Sequence, residues 1–135
     1  MKKSVLVFGL AALFFARCGE KKKEEVKKEV KTVKEEVKKA ETDNLEIGKK
    51  LFTSKTCSTC HQADVKVIGP SIKDINRIYS EKNGNIVSFL KGETPAIVDT
   101  DPGQVAIMKA NLDGFVKDLT DDELAALAAY MSSIK

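Results

Sequence analysis

Cys57-Ser58-Thr59-Cys60-His61 decides how this chain is read. A C-x-x-C-H run is the pattern through which a haem is attached covalently: each of two thiolates adds to one haem vinyl group, and the next residue offers an imidazole to the iron. Other uses of the two cysteines fit less well. Tetrahedral zinc needs four nitrogen or sulfur ligands, whereas His61 is the only histidine and Cys18 the only further cysteine. A thioredoxin-like C-x-x-C sits in a βαβ context, and no strand pattern precedes Cys57. A plain disulfide between Cys57 and Cys60 stays open but leaves His61 without a role.

The 135 residues suit one small domain with appendages. The net charge of +3 is not a basic binding surface, because residues 1–19 supply +3, residues 20–44 supply +1 and residues 45–135 supply −1. Nothing in that balance points to nucleic acid.

Residues 1–18 have the layout of an export signal, with Lys2 and Lys3 leading an apolar run from Val5 to Ala16. Those 12 residues rise about 18 Å as a helix, against a hydrocarbon core of about 30 Å, so the segment exports rather than spans. Phe15-Ala16-Arg17-Cys18 resembles a bacterial lipobox, whose cysteine is lipidated and becomes the mature N-terminus. It departs from that pattern at Phe15, where Leu is usual, and at Arg17, where a small residue is usual. The resemblance implies an exported protein held at the periplasmic side of a bacterial membrane by lipid on Cys18. The alternatives are a residue left by ordinary cleavage or a free thiol. Ordinary cleavage favours an A-x-A-like site, which Phe14-Phe15-Ala16 does not supply.

Residues 19–44 turn abruptly to Lys, Glu and Val. Val26, Val30, Val33 and Val37 form a heptad-like stripe, too short and too poor in buried area for a stable coiled coil. The expectation is a solvated tether with fluctuating helix, reaching about 37 Å as helix and up to about 80 Å extended.

Residues 45–135 are the expected globular part. Asp43 or Asn44 is positioned to cap a helix over Leu45 to Ser54. Gly69-Pro70 breaks the chain, and Ile72, Ile75, Ile78 and Tyr79 then make a helical stripe. Asn83-Gly84 marks a turn before a short helix with Ile86, Val87, Phe89 and Leu90. Residues 92–110, punctuated by Pro95 and Asp101-Pro102-Gly103, read as a long loop. Thr120-Asp121-Asp122-Glu123 matches a capping box, and Leu124, Leu127, Ala128, Met131 and Ile134 form the apolar face of the last helix. Strand patterns are essentially absent, so the fold class is all-α.

On these residues the globular part resembles a class I monohaem cytochrome c of the small bacterial type. The resemblance implies one haem c, bound through thioethers at Cys57 and Cys60 and surrounded by packed helices. Gly48, Phe52 and Tyr130 resemble the family's packing set at the crossing of the terminal helices, and Ile68-Gly69-Pro70 the segment after the haem motif. In the family that proline's carbonyl accepts the Nδ1 proton of the ligating histidine and orients its ring, which makes Pro70 the candidate here. Outside that context Gly69-Pro70 is a simple turn.

With His61 as one axial ligand, a methionine thioether is the natural second. Met1 lies in the export segment and Met131 on the apolar face of the last helix, whereas Met108 stands where the family carries its ligand. Met-x-x-Asn recurs in related small cytochromes, where the amide contacts the sulfur, so Asn111 is a second candidate contact. Lys109 follows Met108 in place of the family's usual proline. Five-coordinate iron, or iron bound by a lysine such as Lys109, is the alternative.

Two filled axial positions imply a one-electron carrier between respiratory redox proteins rather than an enzyme, tethered to a membrane and with a monomeric haem domain. A labile sixth position would instead imply a haem sensor or minor peroxidase, and a fixed subunit of a larger oxidoreductase is a third reading. Lys55, Lys66, Lys73 and Lys109 are candidates to surround an exposed haem edge and steer a partner.

Overall fold

The computed structural model describes the backbone of residues 21–135 and side chains from Lys38 onward. The export segment and Cys18 lie outside the described residues, as do the side chains of the valine stripe. Contacts divide the chain at Glu36, and Val37–Lys135 form the larger compact unit. Among the described residues there are six α-helices, one π-helical turn and no strand, in keeping with the expected all-α class.

Helix α1 runs over Lys21–Ser54. The expected start at Asp43 or Asn44 does not occur; both are exposed positions inside the helix. No glycine or proline interrupts residues 20–47, and Thr42 turns its hydroxyl back onto the Lys38 carbonyl at 2.9 Å instead of opening a new helix. Helix α2 is the single turn Cys57–Cys60. Helix α3, Ile72–Glu81, buries Ile72, Ile75 and Tyr79, and its cap Ser71 accepts from the Asp74 amide. Helix α4 is Ile86–Leu90, capped by Asn85.

The stretch expected as a long loop is half helix. Pro102–Asn111 form α5, with Asp101 as cap and Pro102 in its first turn. Asp-Pro-Gly signals a turn, but aspartate is also a favoured helix cap and proline a favoured first helical residue. A π-helical turn, Leu112–Val116, extends α5. Helix α6, Asp121–Ser133, opens on the expected capping box of Thr120 and Glu123.

The core is built where α6 packs against α3 and α4. Ile72 and Leu127 are fully enclosed, with Phe52, Ile75, Leu90, Leu124 and Met131 around them. Helix α1 crosses α6 at Gly48, where a methyl group would strike the Ala126 carbonyl and come within 2.7 Å of Tyr130 Cβ. Only glycine permits this approach, and it lets Phe52 meet Tyr130 with ring centroids 5.5 Å apart at 59°.

Candidate functional site

The haem motif begins under backbone strain. Thr56, just before α2, sits at φ 60°, a left-handed conformation that a β-branched residue avoids. The helical turn it introduces stacks Cys57, Cys60 and His61 in sequence, with the His61 amide donating to the Cys57 carbonyl at 2.9 Å. Cys57 is half-buried, and burial pushes its thiol up, so before attachment it is held as the neutral form. Cys57 and Cys60 form no disulfide with each other, which leaves both sulfurs for the thioethers of a haem.

The chain then folds back on the motif. His61 pairs with Lys66 in an antiparallel bridge, the Gly69 amide donates to the Cys60 carbonyl at 3.0 Å, and the Ile72 amide donates to the Gln62 carbonyl at 2.9 Å. This return brings the Pro70 carbonyl to 2.8 Å from His61 Nδ1. A carbonyl oxygen only accepts, so Nδ1 carries the proton and Nε2 keeps its lone pair. Gly69 lies under the ring: a Cβ there would stand 2.8 Å from Nδ1 and 2.9 Å from Nε2. Ring orientation and tautomer are therefore set together by two consecutive residues, Gly69 and Pro70.

Cys57, Cys60, His61, Pro70, Met108 and Asn111 all line one open cleft, a concave and mostly apolar setting of the kind that takes cofactors. Its walls are apolar, with Phe52, Ile75, Tyr79, Phe89 and Leu127 among them. An apolar cleft with a tautomer-fixed imidazole and two thiols at its edge is what a flat, hydrophobic, covalently held macrocycle requires, so the residues present fit a haem.

Two features escaped the sequence. Met131 also lines the cleft, although it is 8% exposed and belongs to the core. Asp99 lines it too, and its carboxylate accepts Lys66 Nζ at 2.9 Å. The period of an apolar stripe reveals a buried face and not what lies across from it; a pair 33 residues apart leaves no local signal. The lysines offered as a steering ring are largely matched internally: Lys66 by Asp99, Lys73 by Asp64 and Lys109 by Asp113.

Residues 45–135 match the family described as Cytochrome c. The chain is similar to a cytochrome c-551 of Azotobacter vinelandii, 38% identical over 39 residues, which are 29% of this chain and 48% of that protein. It is also similar to a cytochrome c-552 of Nitrosomonas europaea, 29% identical over 85 residues, 63% of this chain and 76% of that one. The chain thus spans about half the length of the first relative and three quarters of the second.

Proposed function

The chain belongs to the cytochrome c family and binds haem c covalently, and from that premise we propose that it carries single electrons, with its iron held between His61 and Met108. The haem supplies an iron that cycles between ferric and ferrous states. The protein's part is to hold both axial donors still and to exclude water, so that little rearranges on electron transfer.

The observation that carries this reading is the His61 Nδ1 proton given to the Pro70 carbonyl at 2.8 Å. It leaves Nε2 as the free donor of a residue that lines the cleft, and the carbonyl's partial negative charge strengthens that donor. Met108 and Asn111, one turn apart on α5, line the same cleft, which supports a thioether with an amide beside it. Met131 is the competing sulfur, but it is packed in the core cluster. Met108→Ala is expected to abolish the weak red-end band of the ferric protein and to let carbon monoxide bind the reduced protein rapidly, while Met131→Leu leaves both unchanged. The reverse pattern transfers the ligand role to Met131, and rapid binding by the unaltered protein favours the sensor or peroxidase reading.

The setting of the carrier is read from sequence. Lys2, Lys3 and the apolar run to Ala16 support export, and Phe15-Ala16-Arg17-Cys18 supports lipid attachment at Cys18, with residues 19–44 as the tether and residues 45–135 as the haem domain. Among the described residues no helix is long and apolar enough to cross a membrane. Radioactive palmitate is expected to label the wild type and not Cys18→Ala; equal labelling of both removes the anchor. Respiratory redox proteins at that membrane are the partners this arrangement serves.

A further inference from the structure

We propose that Asp99, held by Lys66, is the positioning residue that keeps the Met108-bearing helix docked against the His61 side of the cleft. The inference rests on Met108 being the second iron ligand.

Residues 94–100 make no backbone-to-backbone hydrogen bond, so their place is set by side chains. In the middle of that stretch Ile97 packs on the core, and its carbonyl accepts Lys82 Nζ at 2.9 Å. Two residues on stands Asp99, with only 19% of its side chain exposed. Both of its carboxylate oxygens are engaged. Oδ2 accepts Lys66 Nζ at 2.9 Å, and Oδ1 accepts the Asp101 amide at 3.2 Å.

Each partner leads to one side of the cleft. Lys66 is the residue whose backbone pairs with His61. Asp101 is the cap of α5: its Oδ1 accepts the Gln104 amide at 3.0 Å, and its carbonyl accepts the Val105 amide at 2.9 Å. Met108 follows on the same helix, about 10 Å along the axis. A continuous run of polar contacts therefore joins the histidine segment to the start of the methionine helix, with Asp99 as the link that both halves share. Lys73–Asp64 and Lys109–Asp113 join residues nine and four apart, so neither ties the two sides together.

The test uses the intact haem-bound protein. Replacing Asp99 by Ala removes both contacts, Asp99→Asn removes the charge while keeping an acceptor for Asp101, and Lys66→Asp with Asp99→Lys restores the ion pair reversed. Carbon monoxide binding to the reduced form is expected to quicken about fivefold in Asp99→Ala, the factor that ~1 kcal/mol produces. Asp99→Asn falls between, and the reversed pair, which restores the ion pair but leaves the Asp101 amide without its acceptor, stays faster than wild type. Amide exchange over residues 103–105 is expected to quicken by a similar factor while α3 is unchanged. Wild-type exchange in α5 of Asp99→Ala overturns the positioning role. Faster α5 exchange with unchanged carbon monoxide binding, in a protein where Met108→Ala binds fast, also overturns it. If Met108→Ala itself binds no faster, the ligand assignment is what fails, and the exchange data alone judge whether Asp99 holds the helix.

Discussion

Gly69 bears the constraint nearest the iron ligand. Its missing side chain leaves room for the His61 ring, and the ring in turn must stay where the Pro70 carbonyl receives its proton. In Gly69→Ala the methyl would stand 2.8 Å from Nδ1, too close for a neighbour pinned by a covalent motif. Overpacking of this kind costs about 1–3 kcal/mol, so the haem-bound protein should melt roughly 5–20 °C lower. Gly114→Ala is the matched control, because a Cβ there meets nothing within 4 Å; thermal melting should show it unchanged or slightly stabilised. The candidate site was legible in sequence to differing extents: Cys57, Cys60 and His61 through the motif itself, Pro70 only through the family resemblance. Asp99 and Met131 were not, because nothing nearby in sequence says what faces them.

The ends of the helices show which local signals suffice. Thr120 and Glu123 satisfy each other's orphan groups within four residues, and that box was readable. Asp101-Pro102-Gly103 was read as a turn and is a helix start, since the same residues serve both and only the packing of Met108 and Leu112 beyond them decides. The far end of α6 depends on another element entirely. Asn76 of α3 donates through Nδ2 to the Met131 carbonyl at 2.8 Å and the Ile134 carbonyl at 3.0 Å, adding a second donor to the first, which also accepts the Ile134 amide, and supplying one to the second, just past the helix end. Its own Oδ1 is buried without a partner among the described residues. Asn76→Ala is expected to cost about 1–3 kcal/mol in denaturant unfolding. Asn76→Asp should cost more, since it turns a carboxylate oxygen toward two carbonyls, and an Asp variant as stable as the Ala one would contradict this account of α6.

At the scale of the whole molecule, core and site are one structure: Phe52, Ile75, Tyr79, Leu127 and Met131 belong to the buried cluster and also wall the cleft. The sequence revealed the separate apolar faces, but their convergence on one cleft follows from the α1–α6 crossing at Gly48, which no stripe encodes. Stability should fall at both ends of the pH scale. Asp74 is held below its ordinary value by the Ser71 hydroxyl and Arg77, Asp99 by Lys66 and the Asp101 amide, and Glu123 by the Thr120 amide and hydroxyl. Groups with lowered folded values stabilise fully above the ordinary carboxylate range, near pH 4, and lose that contribution as pH falls through the folded values. Burial pushes Tyr79 up to about 12, so its contribution is complete below about pH 10 and disappears as pH rises toward 12. Melting temperature followed across pH should show both limbs, and Tyr79→Phe should flatten the alkaline one.

The internal matching of Lys66, Lys73 and Lys109 has a consequence outside the molecule, in how it meets another. A cation closed against its own carboxylate presents a dipole, whose field fades faster than that of a lone charge and is further damped within about 8–10 Å by salt. These three lysines then add little long-range pull on a redox partner. Encounters should proceed at the unsteered rate of about 10⁵–10⁷ M⁻¹s⁻¹ and change little with ionic strength. Alignment falls to the last few ångströms, where Ile68 and Ile107, both exposed and both at the cleft, give the partner an apolar surface to settle on.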